Sequence, residues 1–360
     1  MSCIRVGIIG IGNCASNLIQ GLHYYRDIKT VDNVPGLMHP ILGGYKISDI
    51  RIVSAFDVDS TKVGKDVSEA IWQSPNNTVK IANVPELKVI VQKSNVFDGI
   101  GKYMSTIVNI DEKQKPVNVA RALQDSGTEV LINFLPVGSE SATKFYAEEA
   151  LKAGCAFLNG MPVFIASNEI WSKKFEDSKI PIIGDDSKSQ VGATILHRVL
   201  TKLCMDRGAV IDKTYQLNVG GNTDFFTMLE RERLKSKKIS KTESVQSQMK
   251  ERLPDDKIHI GPSDFVPWLK SKKIAYIRIE GRLFGDVPFN IETRLDVEDK
   301  ANSSGVIVDS IRCLKIALDR KIGGPLISAS AYFCKHPPIQ MSDDEARKRV
   351  EMFIEGKIER

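Results

Sequence analysis

The chain has 360 residues, 42% of them apolar and 26% charged, with a formal net charge of +5. That length exceeds what one core ordinarily fills and suits two domains. The mild charge, with no long basic run, argues against nucleic acid as a partner and leaves room for a small anionic substrate.

The chain opens on a short β-branched apolar run, Ile4 to Ile9, as expected of a strand buried on both faces. It leads into Gly10-Ile11-Gly12-Asn13-Cys14-Ala15, and Ser16 to Leu22 then has helical character. This is a G-x-G-x-x-A pattern in its required context, strand before and helix after. Gly10 permits the tight turn, Gly12 lets a pyrophosphate approach the backbone, and Ala15 allows close helix–strand packing. Asn13 and Cys14 lie at the helix N-terminus, whose free N–H groups and positive dipole end suit phosphate. His23 to Asp49 is rich in Pro and Gly and reads as an inserted loop. A second strand, Ile50 to Phe56, ends at Asp57. A carboxylate there accepts from the adenosine ribose and repels a 2′-phosphate, which favours NAD over NADP. Asp59 competes for that role, and a strand-end cap is the plainer alternative for Asp57.

Further strand–helix units follow. A strand at Val130 to Leu135 ends in a loop containing Pro136 and Val137, a second stretch assigned to the cofactor. The segment from Ser141 to Gly154 is a helix, Ala156 to Val163 a strand, and a strand ending at Ile183 leads through a polar loop into a long helix. The alternation implies a parallel sheet with ligands at the C-terminal strand ends. The polar loop, Gly184 to Gln190, carries two carboxylates, a lysine and two serines, and fits a nicotinamide-end site better than a generic loop.

After Gly208 the pattern turns strand-rich, suggesting a mostly antiparallel sheet. Between its strands lies a lysine-rich helix, roughly Phe225 to Lys250. Lys237 and Lys241 are four apart and share a helix face, whereas Lys235 and Lys238 point elsewhere and read as solvated. The run LKSKKI occurs twice, at Leu234 to Ile239 and at Leu269 to Ile274. A strong helix after Ser303 is expected to pack back on the first domain. The fold expected is thus α/β: residues 1–196 as an NAD-binding Rossmann domain, 197–305 as an α+β domain on a mostly antiparallel sheet grafted onto it, and 306–360 as a returning segment.

The six cysteines (Cys3, Cys14, Cys155, Cys204, Cys313 and Cys334) have no CxxC spacing and read as reduced core thiols. The five histidines form no ligand-spaced cluster, which speaks against a structural zinc site. No apolar run is long enough to span a bilayer, and the N-terminus lacks a basic region and a cleavage site, so a cytoplasmic protein without a membrane partner is expected.

The ordered series GIGNCASNLIQG, VPGLMH, GDDSKSQVGAT, NVGGNTDF, LERERLKSKKISKT, HIGPSD, GDVPFN and SAYFCKHPP resembles the myo-inositol-1-phosphate synthase family, in its shorter bacterial and archaeal form, over nearly the whole chain. The resemblance implies an NAD-binding Rossmann domain, an inserted catalytic and tetramerisation domain, and a homotetramer. It implies conversion of D-glucose 6-phosphate to 1D-myo-inositol 3-phosphate by C5 oxidation, enolisation, aldol closure and C5 reduction. Such chemistry needs a phosphate clamp, cations over developing oxyanions, and acid–base groups.

The family motif SKxISK makes Lys237 and Lys241 catalytic, and Lys335 in AYFCKHPP matches another lysine near the substrate. Asp186 and Ser189 match residues at the nicotinamide. Asp224 and Asp299 match site aspartates, and Asn222 is a substrate contact; a turn cap is the plainer alternative for each. Where larger relatives carry a lysine in GDSK, this chain has Asp264 in GPSD. Lys273 either supplies that cation from a neighbouring strand or is a surface lysine. No ligand cluster decides whether a divalent or monovalent cation takes part. Two other readings are an NAD-dependent dehydrogenase of a small anionic substrate and a non-enzymatic NAD-binding regulator.

Overall fold

The computed structural model describes residues 3–28 and 34–360. The first two residues of the N-terminal run, and residues 29–33 of the expected insert, lie outside the described residues. The chain begins with β1 (Ile4–Ile9) and α1 (Asn13–Tyr24), followed by a small hairpin, β2 (Ile41–Leu42) and β3 (Tyr45–Lys46). It continues through β4 (Ile50–Asp57), α2 (Val67–Ala70), β5 (Val91–Lys93), α3 (Val119–Asp125), β6 (Val130–Asn133) and α4 (Glu140–Ala153). Then come β7 (Ala156–Asn159), α5 (Glu169–Asp177), β8 (Pro181–Ile183) and α6 (Ala193–Asp206).

Seven parallel strands form one sheet, in the order β13-β8-β7-β6-β1-β4-β5, with β13 (Gly324–Pro325) entering from the far end of the chain. The order reverses direction at β1, whose neighbours are β4 and β6. That is the switch point at which open α/β sheets hold ligands. The sheet is buried on both faces, which explains why its strands read as continuous apolar runs. On one face α1, with Leu18 and Ile19, shares a core with Val306, Ile307, Ile311 and Leu314. On the other face Leu123, Tyr146, Ala150 and Phe175 pack together.

The second half forms a four-stranded mixed sheet in the order β10-β9-β11-β12: β9 (Val210–Gly220), β10 (Ile258–Phe265), β11 (Lys272–Arg282) and β12 (Pro288–Glu298). Two of its three pairings are antiparallel and β9–β10 is parallel. The long helix α9 (Asp299–Asp319) runs from the end of β12 back into the first core, and α10 (Ile327–Phe333) and α11 (Asp343–Ile354) close the chain against it. The expected boundaries after residues 196 and 305 therefore fall inside α6 and α9.

The lysine segment is not one helix. It divides into α7 (Thr223–Thr227), a 3-10 turn at Arg231–Leu234, and α8 (Lys235–Gln246). The break is tertiary: Arg233 donates to the carbonyls of Val137 and Asp98 and pins the turn to the first domain. Helix α8 is held from its other side by Arg198, fully buried on α6. Its guanidinium donates to the Ser244 carbonyl, the Ser247 hydroxyl, the Met341 carbonyl and the Asp343 carboxylate. Arg198→Met leaves those buried acceptors unpaired. Its expected cost is about 3 kcal/mol, seen as a lower urea midpoint; an unchanged midpoint contradicts this anchoring role.

Candidate active site

One elongated cavity runs from the Gly10 loop to Lys335 and is lined by both halves of the chain. Its first end is built by the turn between β1 and α1. Gly10 has φ +82° and donates its N–H to the Phe56 carbonyl at 2.8 Å. A Cβ there would lie 2.9 Å from the Phe134 carbonyl oxygen, so the turn requires glycine. A Cβ on Gly12 would meet nothing within 4 Å, because that side faces the cavity. Gly12 caps α1 with no side-chain hydrogen bond, which leaves the helix N–H groups available. Asn13 and Cys14 line the cavity; Ala15 is fully buried in the core beneath it.

Asp57 and Asp59 both line this end. Asp57 accepts from the Ile11 N–H at 2.7 Å and from the Val58 and Asp59 N–H groups at 2.7 and 3.0 Å, so it braces the glycine loop. Asp59 is 1% exposed; its Oδ1 accepts from Thr61, while its Oδ2 has no hydrogen-bond partner among the described residues and faces the Lys62 ammonium at 4.0 Å. A buried carboxylate oxygen without a donor, facing a cavity, suits a ribose hydroxyl. Pro136 lines the cavity, whereas Val137 is buried and uses its carbonyl on Arg233. These features fit a dinucleotide.

At the other end Lys237, Lys241, Lys273, Lys300 and Lys335 outnumber Asp186, Asp224 and Asp299 by five to three. Lys237 and Lys241 project inward from α8 and are 6% and 4% exposed, while Lys235 and Lys238 are exposed to solvent. Lys237 Nζ lies 2.9 and 2.8 Å from the two oxygens of Asp224. Lys335 arrives because its segment exchanges main-chain hydrogen bonds with the polar loop: the Lys335 N–H donates to the Asp186 carbonyl, and the Lys188 N–H to that of Phe333. Its ammonium then reaches Asp186 Oδ1 at 2.7 Å, and the Ser240 hydroxyl donates to Asp186 Oδ2, also at 2.7 Å. Lys273, near the start of β11, lies 3.7 Å from Asp299 and lines the cavity. Asp264 is exposed, and its carboxylate accepts from the Phe265 N–H.

The polar loop divides its residues. Asp186 and Ser189 face the cavity. Asp185 is buried under the Ile165, Ala166 and Ser167 N–H groups, and Lys188 is buried against Asp343 and the Ala331 carbonyl. Asn222, read as a substrate contact, is fully buried; it caps α7 and donates to Asp299. Reasoning from sequence passed over Ser240, which sits inside the SKxISK motif, and Lys300, whose only signal is its place beside Asp299. Among the described residues no three His, Cys, Asp or Glu side chains gather as a metal site.

Crowding sets the protonation states. Burial lowers Lys241 well below the ordinary lysine range, and the charges of Lys273, Lys237 and Lys335 push it the same way. Lys273 is also lowered, by burial against the opposing charge of Asp299. Burial would raise Asp224, but Lys237 and Lys300 override it and hold the carboxyl well below the usual range. Asp186 follows the same logic through Lys335 and Lys237. The site thus offers ion-paired lysines and, in Lys241, an amine unpaired among the described residues, pushed toward the neutral form and suited to exchanging a proton.

Residues 192–300 match the model of the family described as myo-inositol-1-phosphate synthase. The inositol-3-phosphate synthase of Mycolicibacterium smegmatis is 56% identical over 357 residues, covering 98% of both chains. That of Mycobacterium tuberculosis is 56% identical over 353 residues, covering 98% of this chain and 96% of its own. The structure of a myo-inositol-1-phosphate synthase-related protein from Thermotoga maritima superposes with a TM-score of 0.80 at 23% identity, covering 98% of each chain, and so shares the fold.

A buried lysine with a lowered pKa costs stability. The native state binds that proton less tightly than the unfolded chain, so the penalty is present at neutral pH and fades as pH rises toward 10.5, the ordinary value for a lysine. Lys241→Met is therefore expected to raise the melting temperature at pH 7 by about 1–3 °C, with a smaller gain near pH 10. Differential scanning calorimetry checks this, and a lowered melting temperature contradicts it.

Proposed function

The chain belongs to the myo-inositol-1-phosphate synthase family, and from that premise we propose that it converts D-glucose 6-phosphate to 1D-myo-inositol 3-phosphate, the first step of inositol and phosphatidylinositol synthesis. The observation that carries the reading is the dense lysine cluster in the same cavity that the glycine turn lines. An ordinary dehydrogenase has no need of several buried cations beside its hydride path. NAD, when bound, supplies reversible hydride exchange at C5 of the open-chain sugar phosphate. The residues that would hold it are Gly10, Gly12, Asn13, Cys14, Asp57, Asp59, Pro136 and Ser189.

The chain's own residues supply the remaining chemistry. Lys241 Nζ, pushed toward the neutral form by burial and by its lysine neighbours, accepts the C5 hydroxyl proton and later returns it. With C5 a carbonyl, the C6 hydrogens are acidic; the substrate's own phosphate takes one of them, negative charge gathers on the C5 oxygen, and the phosphate returns that proton to the C1 alkoxide after C6 attacks the aldehyde. Lys237, fixed by both oxygens of Asp224, is a preorganised cation for that charge. Lys335 and Lys273, held by Asp186 and Asp299, serve the substrate phosphate and the alkoxide formed at C1. This division makes Lys273 the cation that Asp264 does not provide.

The same reading makes the enzyme a cytoplasmic homotetramer. Exposed apolar residues of the second half, Tyr276 on β11, Trp268 before it and Phe284 and Val287 after it, support assembly through that half. Among the described residues no helix is long and apolar enough to cross a membrane.

Incubation with glucose 6-phosphate and NAD is expected to give a cyclitol phosphate, identified by phosphorus and proton NMR, with no net NADH. NADH in proportion to sugar consumed, without cyclitol phosphate, would establish the dehydrogenase instead. Lys241→Ala is expected to lower kcat by about 1,000-fold or more while leaving the Kd for NAD within about twofold, read by fluorescence titration.

A further inference from the structure

Lys300 is the second residue of α9, and nothing in the motifs singles it out. It nevertheless lies at the centre of the site. Its Nζ is 3.0 Å from Asp299 Oδ2 and 3.5 Å from Asp224 Oδ2, and its side chain is 12% exposed. Asp224 holds Lys237, and Asp299 lies 3.7 Å from Lys273. The five groups form one chain of alternating charge: Lys237, Asp224, Lys300, Asp299, Lys273. They come from α8, α7, α9 and β11, so the chain also ties four elements together.

We infer that Lys300 is a positioning residue for this reaction, the built-in counter-cation that lets Asp224 and Asp299 stay ionised side by side and so hold Lys237 and Lys273 in place. The inference rests on the synthase reading given above. Its physical ground is simple. Asp224 and Asp299 are largely buried and close enough to oppose each other's ionisation. Like charges in such a space cannot both persist without a cation between them. Burial alone would lower Lys300, but Asp299 and then Asp224 override it and raise Lys300 well above the ordinary lysine range. It is therefore a permanent cation, unlike Lys241. The other charged or titratable groups facing it are Cys14 from α1, Lys237 from α8 and Lys273 from β11.

Asn222 adds a neutral strut. Its amide donates to Asp299 Oδ2, the oxygen that Lys300 also contacts, so Asp299 is oriented from two sides and Asp224 from two. Removing Lys300 leaves Asp299 with Asn222 and the more distant Lys273, and leaves Asp224 with Lys237 alone. One carboxyl then takes up a proton at a pH where both were ionised, and the ammonium it held is released.

The test compares the full-length enzyme with Lys300→Ala and Lys300→Gln, using glucose 6-phosphate and NAD with cyclitol phosphate as the readout. Both variants are expected to lose about 100-fold in kcat with a smaller change in KM, and the acidic limb of their pH–rate profiles should move upward by about one unit. Methylammonium should restore part of the activity of Lys300→Ala, because it fits the space left between the carboxylates, and none of the activity of Lys300→Gln. Wild-type kcat in either variant overturns the inference. So does lost activity with an unmoved pH profile and no methylammonium response, which marks a merely structural side chain. If Lys300→Ala does not fold, the pH profile of Lys300→Gln decides alone. If the wild-type enzyme makes no cyclitol phosphate, the synthase reading fails, an outcome distinct from every result on the variants.

Discussion

Water holds an ammonium ion far better than a protein interior does, and this protein withdraws several of them from water at once. Lys237, Lys241, Lys273, Lys300 and Lys335 crowd one end of a single cavity. Left unpaired, such groups would give up their protons or keep the site open to solvent. Three aspartates make the arrangement tenable, each touching at least one lysine at 3.7 Å or less. Only Lys241 forms no ion pair within 4 Å of a carboxylate among the described residues, and it is the lysine driven furthest down by burial and by its neighbours. In the proposed reaction, proton exchange and electrostatic stabilisation thereby fall to different amines because of their surroundings.

That electrostatic arrangement dictates much of the architecture. No single element can present so many lysines to one point, so they arrive from α8, β11, α9 and the segment after α10. The polar loop after β8 and the segment around Lys335 lie far apart in sequence, yet they exchange backbone hydrogen bonds and behave as one unit. Arg198 and Arg233, neither of which lines the cavity, fix the position of α8 and the turn before it. The nucleotide end uses the opposite strategy. It offers a glycine turn, uncapped backbone N–H groups and a carboxylate oxygen without a hydrogen-bond donor, as suits a ligand whose phosphate and ribose bring their own hydrogen-bonding groups.

Local pattern made the fold class and the family legible. Continuous apolar strands, the Gly10–Ala15 turn and the SKxISK spacing each express a local physical rule, and local rules survive in sequence. Non-local contacts do not. Arg233 breaks the lysine helix by reaching carbonyls about a hundred residues away, and helix propensity carries no trace of that. Asn222 was open to two readings, substrate contact and turn cap, because a polar residue before a helix reads alike in both; the structure shows it capping α7. Lys188 and Asp185 share a loop with Asp186 and Ser189, but neighbouring residues in an irregular loop need not face the same way. Lys273 was one of two equal readings, and only the register of β11 with β9 and β12 shows that it lines the cavity. Lys300 went unnoticed because its meaning lies in the space between two aspartates contributed by different helices.

The single helix α9 has a consequence for cooperativity. Asp299 and Lys300 form its first turn, while its middle supplies Ile307, Ile311 and Leu314 to the core under the parallel sheet. A hinge between the two sheets would have to bend a continuous helix of 21 residues, so the charged cluster inherits its stiffness from hydrophobic packing some 15–20 Å away. Loosening that remote core blurs the geometry of the lysines before any element unfolds. A mutation buried beneath the sheet can therefore behave, in a rate measurement, like one in the cavity itself.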